Sequence, residues 1–490
     1  MRDRLICLAL FLATACSGGE ENTPPPDPVY SLVLSGVPRG DTIDAFINQP
    51  LVATVTVDSA PAIDVQVRFR VVGCSDRCTR VAHPGGYFTS LINASTDSNG
   101  QAMASVRLGR TKGTALVAVE VVDHNVADTG SYQVLTGQPD SLVVASPVDT
   151  ALLADSSLVI DARVVDRGGN TVLVPVGVDV LDENVLARNG NRLTATNYGS
   201  TQVKAFASVG LQFEQVVRFV AVVPPGQLAL TAPDGSIEVA NTDGSKRRAI
   251  GRQGSTAAWS PDGRRVAYVN STGQLLLQHD LDHGELALVS STFGEVNTLQ
   301  FPSYSRDDAW VYFSGWPNVL AQANWEVWRV RPDGRNLERV GQPGRDADGD
   351  VGPSPAPDGN RVVWATTRGT AVSHLAIHDL TTGTTSDIPG ALGYLPAWSP
   401  VGGRIAYLSG DPALALYVID ESGGPFRHLV PGTFFEYSPV GWSPDGQWIV
   451  ATSYMLPMAA VLVRVSDGML IQLPWAKDRR ASSWAAGALE

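Results

Sequence analysis

Cysteine is scarce, with four in 490 residues, and Cys7 and Cys16 both fall in the first sixteen. That leaves Cys74 and Cys78, too few for a disulfide-dense scaffold or a four-cysteine zinc site. No internal run of 18 apolar residues exists, which excludes a spanning helix. Positive charge is in deficit: Lys+Arg 36 against Asp+Glu 49 gives a net charge of −13. Non-specific nucleic-acid binding, which needs clustered cations to release counterions, is thereby excluded. Tryptophan is missing before residue 225, although the chain has 11 of them. There is no Gly-x-Ser-x-Gly elbow and hence no α/β-hydrolase nucleophile.

What is present is valine in alternating runs and frequent turn formers, with 48 Gly and 32 Pro. A hydrophobic fraction of 44% with 17% charged residues is globular. The length accommodates roughly three domains, and the pattern predicts an all-β protein.

Residues 1–15 place Arg2 and Arg4 before an apolar run from Leu5 to Ala13, too short to span a bilayer and laid out as an export signal. The Ala13-Thr14-Ala15-Cys16 stretch resembles a bacterial lipobox, with Ala13 where that motif most often has Leu. The resemblance implies lipidation of Cys16, with acyl chains enough for stable anchoring. Residues 16–28, polar and Pro-rich, are expected to form a semi-extended tether. In an exported protein Cys74 and Cys78 read most simply as a local disulfide; a redox pair would favour Cys-x-x-Cys, and zinc would need two further ligands.

Residues 29–223 carry period-2 runs such as Leu51-Val52-Ala53-Thr54-Val55-Thr56-Val57 and Val65-Gln66-Val67-Arg68-Phe69, separated by turns. These predict β-sandwiches. Residues 29–137 resemble the invasin-type bacterial Ig-like domain, through these runs and the turn Thr96-Asp97-Ser98-Asn99-Gly100 feeding Ala104-Ser105-Val106. The Asp-Ser-Asn-Gly loop reads as a hairpin turn more simply than as a calcium site. Residues 138–223 resemble a second bacterial Ig-like module, with hairpins at Val164–Asn170 and Asn189–Ala195. Such modules serve as spacers or adhesive units.

Beyond Pro224-Pro225-Gly226 the chain repeats. Trp259-Ser260-Pro261-Asp262-Gly263 is echoed at Tyr304-Ser305, Pro355-Ala356-Pro357-Asp358-Gly359, Trp398-Ser399-Pro400, Trp442-Ser443-Pro444-Asp445-Gly446 and Trp484. The intervals are 45, 51, 43, 44 and 42 residues, the spacing of a β-propeller. These units resemble the TolB-like propeller over residues 226–490. The short final repeat is expected to share a blade with residues 226–250, which closes a six-bladed ring. The fold class predicted is therefore two Ig-like sandwiches followed by a six-bladed propeller.

No catalytic constellation emerges. His279/His283 and His374/His378 are spaced i, i+4 without a third ligand and read as solvent-facing strand or turn histidines. Asp262, Asp358 and Asp445 read as turn residues. Asp346-Ala347-Asp348-Gly349-Asp350 reads as a solvated loop, because Pro357 stands where a calcium loop needs its acidic twelfth ligand. No metal and no cofactor is expected.

Aromatics instead gather on segments joining second to third strands, or one blade to the next: Trp316, Trp325, Tyr394, Phe434, Phe435, Tyr437, Tyr454 and Trp475, with Arg345, Lys477, Arg479 and Arg480 beside some of them. Aromatics with arginine compose interface hot spots. The resemblance implies a binding role, since TolB engages a peptidoglycan-associated lipoprotein, whereas other related propellers are sugar lyases or partners of peptidases. The expectation is a non-enzymatic, monomeric, lipid-anchored protein of the bacterial envelope, at the outer membrane or cell surface, whose propeller binds an envelope protein or glycan. A carbohydrate-processing head and a surface adhesin are the alternatives.

Overall fold

The structure, a computed structural model, describes residues 27–37, 40–73, 78–145, 149–209, 212–291, 296–317, 324–341, 349–370, 372–410, 414–430, 438–454 and 457–489. Cys16, the signal segment and the tether up to residue 26 lie outside them. Every element among the described residues is a strand, so the protein is all-β. It divides into two compact units, one of Met1–Ser141 with Val164–Leu173, the other of Leu142–Arg163 with Val174–Glu490.

The first unit is a sandwich of two sheets. One runs in the order Tyr30–Ser35, Leu51–Val57, Gln101–Arg107, Arg80–Ala82; the other Gly40–Thr42, Val126–Leu135, Gly113–Val121, Gln66–Val72, Leu91–Ser95. Alternation does the sorting: Leu51, Ala53 and Val55 are fully buried while Val52, Thr54 and Thr56 are half-buried on the outer face. Leu51, Val55, Phe69, Val119 and Tyr132 meet in one core, each large apolar side chain contributing about 1.5–3 kcal/mol. The Asp97 carboxylate accepts the backbone N–H groups of Gln101 (2.9 Å) and Asn99 (2.8 Å), which hold it below the usual carboxylate range. Gly100 follows at φ +73°, and a Cβ there would stand 2.5 Å from the Val55 carbonyl oxygen. The loop is thus a hairpin turn. Cys78 is disulfide-bonded, and Cys74 lies outside the described residues. A hairpin pairing Val164 with Val172 completes the unit; its Asp166 carboxylate accepts N–H groups of Gly137, Gly168 and Asn170 at 2.8–2.9 Å.

In the second unit a sheet of Thr150–Leu153, Gln212–Val223, Gly199–Val209 and Val176–Val180 accompanies a smaller one of Ser157–Val159, Arg192–Ala195 and Leu186–Asn189. Six four-stranded antiparallel sheets follow, and their innermost strands neighbour one another in a closed cycle. Blade 1 is built from Arg480–Ala485, Gln227–Thr231, Ser236–Asn241 and the first half of Arg248–Trp259. Its strand Gln227–Thr231 pairs with the last strand of the chain, Leu228 opposite Trp484. Closure leaves the ring no open seam between its ends. Blade 2 begins with the second half of Arg248–Trp259, and blades 3 to 6 begin at Val296, Asp350, Tyr394 and Gly441.

The sandwich and the ring are joined by a single core. Ala151, Ala221 and Val223 of the sandwich are buried with Leu228, Leu230, Trp448, Leu462, Ile471 and Leu473 of the propeller. Tyr198 meets Trp448 edge-on at 5.6 Å.

Candidate functional site

Antiparallel strands give each blade two ends. The first-to-second and third-to-fourth connections emerge at one, called here the turn end; the second-to-third connections and the passages between blades emerge at the other, the loop end.

At the turn end blades 2, 3 and 6 make the same small device, with Ser260 and Asp262 forming that of blade 2. Ser443 Oγ donates to Asp445 (2.6 Å) and accepts the Trp448 N–H (2.8 Å); Ser305 does the same with Asp307 and Trp310. Gly263, Gly359 and Gly446 complete their turns at φ +69°, +75° and +68°. The repeated aspartates are thus turn residues.

Three residues before each repeat aromatic, or Pro355 in its place, the inner strand bulges in four blades, at Thr256, Phe301, Gly352 and Leu395, with φ between +49° and +66°. Three of the four are not glycine, so the ring holds the strain in place. The residues that follow, among them Pro302, Pro353 and Pro396, line a central funnel of about 270 Å³. Its hydroxyls stitch neighbouring blades: Ser303 donates to the Pro353 carbonyl (2.6 Å), Ser482 to that of Ala257 (2.6 Å), and Ser354 accepts the Trp398 N–H (2.8 Å). Tyr304 donates to Gln278 (2.7 Å), and burial pushes its phenol well above the ordinary range. Arg306 is the one charged side chain among the described lining residues. Such a wall offers shape and apolar contact.

The loop end differs. Trp316 and Trp325 of blade 3 meet edge-to-face at 5.6 Å and 88°, both half-buried. The Trp325 carbonyl accepts the Asp350 N–H (2.8 Å), tying blade 3 to blade 4. Asp350, 2% exposed, receives Arg368 through Nε (3.1 and 3.0 Å) and Nη2 (2.6 Å). The neighbouring Glu326, also buried, faces Arg339 at 3.6 Å. Val372 (55% exposed) and Leu392 (54%) stand open on the same end. They are adjacent because His374 pairs with Leu392 and Ser373 Oγ donates to the Gly393 carbonyl (2.9 Å). Half-buried Tyr394 continues this apolar sector into blade 5.

The aromatics singled out from the sequence separate on inspection. Trp316, Trp325 and Tyr394 belong to this sector. Tyr454 is exposed at the same end in blade 6. Trp475 is a structural wedge: its Nε1 donates to the Thr242 carbonyl (3.0 Å), and a Cβ on Gly244 would lie 2.6 Å from its ring. Arg479 is drawn to Glu238 at 2.6 Å. Phe434, Phe435, Tyr437, Arg345 and Asp346–Asp348 lie outside the described residues.

The reading of His374 and His378 as solvent-facing is corrected, since they are 7% and 4% exposed. The strand carrying them is third of four and covered on both faces. His374 Nε2 lies 3.2 Å from Asp387; His378 stacks on Trp364 at 5.3 Å, and burial lowers its pKa. His279 lies on a strand and exposed His283 on the turn after it. Among the described residues no three of His, Cys, Asp and Glu come together as metal ligands. Val372, Leu392 and the funnel escaped sequence reasoning. The prolines recurring two residues before the repeat aromatic were a readable signal for the funnel; nothing marked the two exposed aliphatics.

Fold and site together define a closed six-sheet propeller preceded in the chain by β-sandwich modules. The chain matches no protein-family profile and no curated protein. Among solved structures it is similar to TolB from Acinetobacter baumannii (18% identity, 59% of this chain and 81% of that one, TM-score 0.46). It is also similar to a putative TolB from Agrobacterium tumefaciens (16%, 53% and 98%, 0.41) and an oligogalacturonate lyase from Vibrio parahaemolyticus (12%, 68% and 100%, 0.37). Likenesses this distant define no function for this chain.

Proposed function

We propose that this chain is a non-enzymatic, lipid-anchored protein of a bacterial envelope whose propeller binds a protein partner at its loop end. The observation that carries the reading is the loop-end sector of Trp316, Trp325, Val372, Leu392 and Tyr394, the end at which half-buried Arg368 closes on buried Asp350. Half-buried aromatics and exposed aliphatics gathered at one end with an already satisfied ion pair have the composition of a protein interface. The first sandwich acts as a spacer behind the anchor. The second is part of the head, because it shares the propeller's core.

The test is crosslinking in cells followed by pull-down, comparing the wild-type chain with a Trp316→Ala/Trp325→Ala variant and a Val372→Asp/Leu392→Asp variant. A discrete envelope protein recovered with wild type and reduced at least tenfold with both variants is the expected result. Equal recovery with all three chains would remove the loop end as the binding face.

A further inference from the structure

On the outer face of one sheet of the first sandwich, three side chains stand in a row across neighbouring strands. Phe46 is paired with Arg107, and Arg107 with Arg80. Two arginines directly opposite each other on adjacent strands repel, a local cost to stability. Arg110 adds a third guanidinium, and Asp44 serves two of the three, at 3.6 Å from Arg107 and 2.8 Å from Arg110. Arg80 is exposed. Among the described residues these side chains leave a local cationic excess in a chain of net charge −13, a place that suits an anion from outside. Aromatic surface adjoins it. Phe46 is 58% exposed, lies under the Arg107 guanidinium at 4.8 Å, and meets Phe88 at 5.6 Å. Tyr87, next to Phe88 and after Gly85-Gly86, is 96% exposed.

From this arrangement we infer that the first sandwich carries a binding site for a carboxylated polysaccharide. Guanidinium forks recognise carboxylates, and flat, open aromatic rings provide apolar contact area suited to the faces of sugar rings. An acidic polymer presents both at each repeat. The protein's own membrane is a poorer occupant on geometry. Tyr30 pairs with Val57 and Ser35 with Val52, so Val29, where the chain enters, lies at one pole of the sandwich and Arg107 at the other.

The test is affinity electrophoresis of the purified full chain through gels containing alginate, dextran or polyglutamate, with Arg80→Gln and Tyr87→Ser variants alongside. Alginate is expected to retard the wild type, an effect weakened by 0.5 M salt, while dextran and polyglutamate do not. Each variant is expected to lose about tenfold in affinity for alginate. The melting temperature of Arg80→Gln should be equal or higher, since the like-charge pair is relieved, which separates lost binding from lost folding. Absence of retardation by alginate, or retardation unchanged in both variants, would overturn the inference. Equal retardation by polyglutamate would overturn it too, and would mark a patch that reads charge alone, as an acidic protein partner requires.

Discussion

Tyr132 carries its hydroxyl into the core of the first sandwich, where no described group meets it and burial pushes the phenol up to about 12. A buried donor without a partner costs about 1–3 kcal/mol relative to an apolar group of the same shape. Tyr132→Phe is therefore expected to leave stability equal or raise it by about 1 kcal/mol, read as the urea midpoint. A loss of more than about 1 kcal/mol would show that the hydroxyl has a partner. At this scale the sequence is ambiguous for a physical reason. Tyr132, His374 and His378 are amphipathic residues, and their environment is set by neighbours distant in sequence. His378 sits in the interior because Trp364 of the adjacent strand stacks on it.

At the scale of the element, the hairpin between first and second strands was legible, because its chemistry is local. Serine, aspartate and a left-handed residue within five positions close the turn wherever they occur. Ser443, 3% exposed, both donates to Asp445 and accepts from Trp448. Ser443→Ala is expected to cost about 1–2 kcal/mol, since it leaves a buried N–H unpaired. Equilibrium denaturation measures this, and an unchanged midpoint would mean the hairpin is held by the ladder alone. The inner-strand bulge was not legible. Thr256, Phe301 and Leu395 have no preference for positive φ; the conformation is imposed by neighbouring blades.

For the whole molecule, the consequence of the core shared by Ala151, Ala221, Val223, Leu228 and Trp448 is cooperative unfolding of the second sandwich with the propeller. Calorimetry is expected to show both in one transition. Val223→Asp, which places a charge in that core, should lower the transition by roughly 10 °C, on the scale of a buried-charge penalty of several kcal/mol. Two transitions with only the earlier one shifted would show that the sandwich is an independent spacer after all.

The all-β class and the propeller repeat were determined by the sequence alone, because strand alternation, turn chemistry and a period in the forties are each written within a few dozen residues. Which repeat aromatics stay open, which histidines are enclosed and which hydroxyls are consumed between blades were decided only by tertiary structure. Trp316 and Trp475 are the same residue type in the same ring. One meets a second tryptophan beside an open apolar sector, and the other is wedged over Gly244. That difference comes from ring closure, which brings residue 244 beside residue 475 and cannot be read from either segment by itself.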